Sequence, residues 1–284
     1  MRAARIARSA LWSVRLLPVR VRPWLLARRN LDRYVVFDEA GLRATRHADK
    51  LFVFGSGASL NELTEEEVAE IERHQTLGFN WFVRQEFVRC DYHLIRGIPD
   101  TDLDARVWRP QLEEYFRLLA ENPRFAKTIY LVQGGFRATN GNRAIGLRLL
   151  PEGSRIYRWR TIDDAGAPSE NLDEGLVHGR STLQECINFG YLLGWREIVL
   201  VGVDLYDRRY FWLDADEARS VDERRGATVA DVHTQAASGL VHTLERWARW
   251  LAERDVRLTV YNPRSLLAGR VPVYVRASEG RTDG

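Results

Sequence analysis

Residues 51–80 read LFVFGSGASLNELTEEEVAEIERHQTLGFN and contain the pattern that decides the fold. A short apolar run ends in a turn of small residues, a charged amphipathic stretch follows, and a second apolar run closes the segment. The predicted elements are, in order, strand Leu51–Phe54, turn Gly55–Ser59, helix Thr64–Arg73 and strand Thr76–Phe79. Three glutamates in the first turn of the helix suit its positive end. The segment therefore predicts a strand–loop–helix–strand unit of a parallel sheet.

The same alternation continues to residue 261. Further strands are predicted at Tyr92–Ile95, Thr128–Val132, Arg155–Trp159, Glu197–Val201 and Arg257–Tyr261. Further helices are predicted at Arg106–Glu121, Ser181–Leu193 and His233–Arg254. Alternating strands and helices indicate an α/β protein with a Rossmann-like, mostly parallel sheet and helices on both faces. We therefore expect one catalytic domain at 46–272, preceded by an arm at 1–45 and followed by a tail at 273–284.

Charge is distributed unevenly along the chain. Residues 1–31 contain eight arginines and no acidic residue. Subtracting these eight from the 42 basic side chains leaves 34 against 39 acidic ones, so the rest of the chain is acidic. A nucleic-acid-binding protein would carry a basic patch on its body, so this distribution argues against nucleic acid as a partner.

The arm has the pattern of a helix on a surface. Its apolar residues and several arginines fall in separate rows, Ile6, Ala10, Val14 and Leu17 in one and Arg2, Arg5 and Arg8 in the other. Such a helix can lie on an anionic membrane, and residues 1–31 would be the part that binds it. A solvated arm, or one packed on the body, is an equal alternative.

Cysteines and apolar runs give a first indication of location. Cys90 and Cys186 lie far apart without metal-ligand spacing, which is typical of reduced, buried thiols in the cytoplasm. No apolar run approaches the ~18 residues of a membrane span, and the chain does not start with the ~7–15-residue apolar core of a signal peptide. We expect a cytoplasmic protein, with peripheral attachment to the inner face of the cell membrane as an option.

The turn Gly55–Ser59 is the first candidate binding site. Glycines let a phosphate approach the backbone, and a following helix supplies N–H donors. A tight structural turn is the alternative. An NAD site would have an acidic residue at the end of the second strand to hold the ribose, whereas this strand ends at Asn80. We therefore predict a nucleotide other than NAD, with Asn80 available to bond its base or sugar.

The second candidate site lies further along the chain. Tyr206 and Tyr210 follow a buried strand, where two phenols could donate to a phosphate oxygen, although aromatic packing is the alternative. Asp214–Ala230 is rich in charge and poor in large apolar side chains, so we predict an active-site lid near 212–232. His233 follows this lid and can act as a general base near neutral pH. The alternative is a histidine that caps a helix or lies on the surface.

Four islands of the sequence carry a resemblance to a known family. They are FGSGASL at 54–60, FNWF at 79–82, STLQECINFGYLLGWREIVLVGVDLY at 181–206 and YNPRSLLA at 261–268. In their order and spacing they resemble the bacterial sialyltransferases of glycosyltransferase family 42. They are also similar to the wider group that includes motility-associated flagellin glycosyltransferases and methanogen-type pterin diphosphokinases. The long third island is the specific part.

The resemblance implies a GT-A-like domain and a role for each matching residue. Contacts with CMP would fall on Gly55, Ser56, Gly57, Ser59 and Asn80. Contacts with the donor sugar would fall on Ser181 and Thr182, which open the conserved helix. The leaving phosphate would be stabilised by Tyr206 and Tyr210, and His233 would take the proton of the acceptor. Ser56, Ala58 and Arg96 depart from the family's Asn, Pro and Asn, which puts the identity of the donor in question.

The activity implied by the resemblance is an inverting, metal-independent glycosyl transfer. The donor would be a CMP-linked acidic sugar, either a sialic-acid-like nonulosonic acid or a related keto-sugar acid, and the acceptor a glycan or lipid-linked saccharide. The CMP-sugar is a substrate, so we expect no cofactor and no metal. One alternative is a Mg²⁺-dependent pterin diphosphokinase, for which Asp163, Asp164 and Asp204 are the candidate ligands. Another alternative is a non-catalytic relative that binds the nucleotide. The sequence also leaves open whether the protein forms a homo-oligomer.

Overall fold

A computed structural model describes residues 17–96, 105–136, 138–163, 166–206, 209–213 and 239–276, which are organised by one eight-stranded sheet. Every strand pairing in this sheet is parallel. The strands are β1 (Val35–Val36), β2 (Lys50–Phe54), β3 (Gln75–Phe79), β4 (Tyr92–Ile95), β5 (Ile129–Gln133), β6 (Arg155–Trp159), β9 (Glu197–Val201) and β10 (Arg257–Val260). A separate two-stranded sheet pairs β7 (Thr161–Ile162) with β8 (Leu176–Val177).

Helices pack on both faces of the large sheet. They are α1 (Leu17–Arg29), α2 (Glu39–Arg43), α3 (Glu65–Ile71), α4 (Ala105–Glu121), α5 (Thr139–Gly146), α6 (Thr182–Leu193) and α7 (Leu240–Ala252). Side chains of a strand point alternately to the two faces, and in β2 the side chains of Leu51–Phe54 are buried on both faces. Leu51 and Val53 pack in one core with α6 and α7, whereas Phe52 and Phe54 pack in the other with α4. The predicted α/β architecture with helices on both faces is therefore confirmed.

The order of the strands identifies the place where a ligand can bind. Across the sheet the order is β1-β6-β5-β4-β3-β2-β9-β10, so the chain moves outward from β2 in one direction and later returns to its other side at β9. From this switch point the chain after β2 continues to β3 on one side, and the chain after β9 continues to β10 on the other. In doubly wound sheets the resulting crevice, at the carboxyl ends of the strands, is where ligands bind.

The helix after the glycine loop starts where it was predicted, but a short 3₁₀ helix separates it from the loop. A 3₁₀ helix, Ala58–Glu62, follows the loop directly. The α-helix α3 starts only at Glu65, where the side chains of Thr64 and Glu67 form a reciprocal capping box. The loop is therefore followed by a short 3₁₀ turn rather than by the N-terminus of an α-helix.

The sheet takes in residues that we assigned to the N-terminal arm. Val35 and Val36 pair with β6 as an edge strand, and Leu42 is fully buried in the core. Helix α1 packs on α5 closely enough that a Cβ on Gly146 would lie 2.9 Å from the Cβ of Leu26. The part of the arm that the structure describes, from residue 17 on, is thus packed on the body. The remaining predictions for residues 1–16 lie outside the described residues.

The outward face of α1 is basic. Arg22, Leu25, Arg28 and Arg29 are exposed, whereas Ala27 is buried against the body. The guanidinium of Arg28 lies over the Trp24 ring, 4.9 Å from its centroid. In the part of the chain that the structure describes, no helix is both long and apolar enough to cross a membrane.

Candidate active site

A cleft of about 270 Å³ opens at the carboxyl ends of β2, β3 and β9. Its lining comes from five segments, Gly55–Gly57, Phe79–Asn80, His178 with Arg180–Leu183, Gly202–Leu205 and Arg209–Tyr210, together with Leu240. Most of the predicted site residues thus lie in one place, namely Gly55, Ser56, Gly57, Asn80, Ser181, Thr182 and Tyr210. Ser59 and Tyr206 lie outside this lining, and His233 lies outside the described residues, as does nearly all of the predicted lid.

Backbone contacts build the wall of the cleft formed by the glycine loop. The N–H groups of Gly55 and Gly57 donate to the carbonyls of Val201 and Gly202, both at 2.8 Å. A Cβ on Gly55 would lie 2.5 Å from the Gly202 carbonyl oxygen, closer than real Cβ atoms approach an oxygen. Both glycines are thus required by the close approach of β2 to the loop after β9, whether or not a phosphate binds there.

The buried side chain of Asp204 stabilises the same wall through hydrogen bonds. Its side chain accepts from the Ser59 N–H at 2.9 Å, from the Ser59 hydroxyl, and from the Asn262 amide at 2.9 Å. Asp204 is 3% exposed, so these bonds satisfy a carboxylate that is almost wholly removed from water. Ser59, which we assigned to the nucleotide, therefore has its hydroxyl committed to Asp204, and any role toward a nucleotide stays a prediction.

Asn80 and the start of α6 form the opposite side. Asn80 begins a 3₁₀ helix with φ of 49°, a left-handed conformation that asparagine tolerates better than most residues. Its amide nitrogen lies 3.4 Å from the Thr182 hydroxyl oxygen, which links the end of β3 to α6. Ser181 caps α6 without using its side chain, and its buried hydroxyl has no hydrogen-bond partner among the described residues. A polar ligand in the cleft could supply that partner.

The two predicted tyrosines are placed differently. Tyr210 lies in the cleft lining, bridges Gly57 through the backbone, and stacks on Trp212 with 4.8 Å between the ring centroids. Tyr206 instead has its hydroxyl 3.5 Å from the amide nitrogen of Asn262, beside the Asp204 anchor. The structure thus brings one phenol of the predicted pair to the cleft, and the proposed roles of both stay predictions.

Three basic side chains of the cleft were missed in the sequence. His178, Arg180 and Arg209 line it, and among the described lining residues the one carboxylate, that of Asp204, accepts from Ser59 and Asn262. Guanidinium groups in a binding cleft suit an anionic ligand. A usable signal existed for His178 and Arg180, because both come just before the N-terminus of a predicted helix.

Among the residues that the structure describes, acidic side chains do not converge at the cleft in the way a metal site requires. Asp163 is 85% exposed and pairs with Arg96 at 3.9 Å, and it does not line the cleft. Asp164 lies outside the described residues. Within the described ranges, no group of three or more histidine, cysteine, aspartate or glutamate side chains is arranged to hold a metal ion.

Comparison with known proteins gives structural similarity without a sequence match. No family model matches the chain, and no curated protein matches it. CST-II, a sialyltransferase solved in complex with CMP, aligns over 79% of this chain and 85% of its own at 14% identity, with a TM-score of 0.44. Cst-I, a monofunctional alpha-2,3-sialyltransferase from Campylobacter jejuni, aligns over 85% of this chain and 83% of its own at 11% identity, with a TM-score of 0.44.

A third solved structure is the MAf glycosyltransferase from Magnetospirillum magneticum AMB-1. It aligns over 76% of this chain at 15% identity with a TM-score of 0.45, but over only 32% of its own length. By structure, then, the chain is similar to sialyltransferases and to a MAf glycosyltransferase.

Proposed function

We propose that the protein is a glycosyltransferase that moves an acidic sugar from a CMP-sugar donor to a glycan or lipid-linked saccharide. The sugar would be a sialic-acid-like nonulosonic acid or a related keto-sugar acid. Transfer would invert the anomeric centre and need no metal. The donor is the reacting substrate, so the protein needs no further cofactor.

One observation carries the proposal. Three separate islands of the sequence, at Gly55–Gly57, Asn80 and Ser181–Thr182, meet in a single cleft at the switch point of the sheet. A CMP-linked sugar acid carries negative charge on both its phosphate and its carboxylate. The guanidinium groups of Arg180 and Arg209, which line the cleft, complement that charge, and the small residues of the loop leave room for it.

The reaction proceeds as a single displacement. The oxygen of an acceptor hydroxyl forms a bond to the anomeric carbon while the bond from that carbon to the CMP phosphate oxygen breaks. The bonding electrons leave on CMP, and the hydroxyl proton passes to His233. Tyr210, with Tyr206 as the second predicted phenol, donates to the phosphate as its charge develops. Attack opposite the leaving phosphate inverts the configuration.

The test is donor turnover with and without metal. We expect CMP release from CMP-N-acetylneuraminic acid, by transfer or by slow hydrolysis, at equal rates in EDTA and in Mg²⁺. Retained configuration in the product would contradict the displacement. Activity that vanishes in EDTA and returns with Mg²⁺, together with turnover of a pterin and ATP, would replace the proposal with a diphosphokinase.

We also propose that the basic outer face of α1 binds the anionic inner face of the cell membrane. Arg22, Arg28 and Arg29 are exposed on this face, and Leu25 is 46% exposed between them. Basic side chains next to an anionic surface, with an apolar residue among them, are typical of helices that bind membranes peripherally.

A further inference from the structure

His178 is held in place by backbone bonds on both sides. It follows β8 directly, and its N–H donates to the Ile162 carbonyl at 2.9 Å. Its carbonyl accepts from the Ser181 N–H at 3.0 Å, in the tight turn that opens α6. The imidazole therefore lies at a fixed position beside Ser181, the residue that the resemblance assigns to the donor sugar.

A buried carboxylate lies behind the imidazole. Glu185, in the first turn of α6, has a side chain that is 0% exposed, and its Oε2 lies 3.4 Å from His178 Nδ1. This distance exceeds the ~2.7–3.2 Å of a hydrogen bond, but among the described residues neither atom has another partner. The two groups are thus the available partners for each other.

The other oxygen of Glu185 belongs to a second set of bonds. Oε1 accepts from the Arg96 guanidinium and lies 3.5 Å from the Thr161 hydroxyl. Arg96 also donates to Thr161 at 2.8 Å. Burial raises the pKa of Glu185, whereas His178 and Arg96 act in the opposite direction. The ion pair with Arg96 offsets part of this cost of burial and favours the charged form of the carboxylate.

This arrangement determines which ring nitrogen faces the cleft. A carboxylate oxygen beside Nδ1 favours the tautomer with hydrogen on Nδ1, which leaves the lone pair on Nε2. Nδ1 is buried, whereas 28% of the side chain is exposed and lines the cleft, so the accessible edge carries Nε2. Nε2 therefore adds a hydrogen-bond acceptor to a lining that also contains the guanidinium donors of Arg180 and Arg209.

We propose that His178 recognises a hydroxyl of the donor sugar. Nε2 accepts a hydrogen bond from that hydroxyl, and Glu185 is the positioning residue that keeps the ring in the required tautomer. The inference rests on the proposed function and adds a determinant of the donor. An acceptor atom repels phosphate and carboxylate oxygens, so the anionic groups bind at Arg180 and Arg209, and His178 selects a polyhydroxylated sugar.

The experiment separates the sugar from the nucleotide. Isothermal titration calorimetry in EDTA measures binding of CMP and of CMP-N-acetylneuraminic acid to the full chain and to His178→Ala and His178→Gln. The quantity compared is the ratio of the two dissociation constants in each protein, with donor hydrolysis followed in parallel. His242→Ala is the matched control, because His242 lies 3.8 Å from Glu245 in another histidine–glutamate pair, on the exposed surface of α7.

We expect the sugar to strengthen binding to the wild type and His178→Ala to lose about three- to tenfold of that gain. CMP alone should bind all variants equally. His178→Gln should recover part of the gain, since its amide oxygen is also an acceptor. If His178→Ala retains the full gain, or if the sugar adds nothing in the wild type, the role of His178 is overturned. If CMP itself fails to bind the wild type, it is the proposed function that fails.

Glu185→Gln tests the positioning role separately. The amide removes the carboxylate beside Nδ1, so either tautomer can form and part of the sugar's contribution is lost. Its melting temperature is measured first, because the substitution also removes the charge partner of Arg96. A folded Glu185→Gln protein with the wild-type ratio would overturn the role of Glu185 and leave that of His178 to the first experiment.

Discussion

The two walls of the cleft are stabilised by different kinds of contact, backbone contacts in one and side-chain contacts in the other. In the wall formed by the glycine loop, backbone atoms of Gly55 and Gly57 contact the backbone after β9, with donor–acceptor distances of 2.8 Å. In the wall at the start of α6, side chains make the contacts. The His178 imidazole lies against the Glu185 carboxylate, and that carboxylate accepts from the Arg96 guanidinium. The first wall needs glycine, because a side chain would prevent the close approach of the two backbones. The second wall needs the particular side chains that contact one another.

This difference has a consequence for mutation. Any side chain added to the first wall meets backbone that cannot move away, so both stability and binding should fall. A truncation in the second wall leaves the backbone in place and removes one contact. The first wall should therefore decide whether a nucleotide binds at all, and the second which sugar it carries.

The largest expected effect is on the transfer rate, and it comes from the proposed general base rather than from either wall. His233→Ala should lower the transfer rate by ~10²–10⁴, the usual contribution of a general base, while CMP binding stays at the wild-type level. The measurement is steady-state transfer together with CMP titration, with His242→Ala as the control. Full turnover by His233→Ala, or a comparable loss in His242→Ala, would contradict the assignment of the base.

The next largest effect breaks the backbone wall. A Cβ on Gly57 would lie 2.3 Å from the Asp204 Oδ2 and 2.8 Å from the Gly202 carbonyl oxygen. Gly57→Ala should therefore lower the free energy of unfolding by about 1–3 kcal/mol and weaken CMP binding at least tenfold.

Gly269→Ala is the control for this substitution, because nothing lies within 4 Å of a Cβ at that exposed position. Urea unfolding and CMP titration are measured on both variants. Wild-type CMP affinity in a folded Gly57→Ala protein would mean that the glycine loop is structural only and takes no part in the site.

The smallest effect concerns a surface remote from either wall. Changing Arg22, Arg28 and Arg29 to glutamate should weaken binding to anionic vesicles by roughly 1 kcal/mol per residue at low salt, and less as salt rises. CMP binding should not change. Co-sedimentation with phosphatidylserine vesicles measures the effect.

The matched control reverses the same number of exposed arginines elsewhere, at Arg109, Arg117 and Arg246. If the control loses vesicle binding equally, net charge is responsible and α1 is not the membrane face. Because α1 packs on the body, these substitutions test the arm more cleanly than its deletion would.

The sequence predicted the elements whose own residues carry the pattern of a buried strand or helix. Strands β4, β6 and β9 have the bounds predicted for them, since each is a short run rich in aromatic or β-branched residues that ends at a polar or turn residue. Helix α5 was not predicted, because TNGNRAIG contains poor helix formers. All eight of its residues are buried, so tertiary packing stabilises it against its own propensity.

Predicted site residues lie on both walls of the cleft, but the sequence did not predict the basic side chains. The glycine loop, Asn80 and Tyr210 stand at the ends of predicted strands, where ligands are expected. His178 gave a weaker signal, its position just before a predicted helix, and the sequence shows its partner Glu185 only as an acidic residue inside that helix. Ser59 illustrates the converse, since a serine in a glycine loop points to phosphate until Asp204 is seen to accept from it.

The central claim, that this cleft holds a CMP-linked sugar, is tested most directly by nucleotide binding to the wild-type protein. Thermal unfolding is followed in EDTA with CMP, UMP, ATP and NAD at equal concentration. A ligand that binds only the folded state raises its stability, by about 2.7 kcal/mol at a hundred times Kd. The account predicts that CMP raises the melting temperature more than the other three. An equal or larger rise with NAD would contradict it.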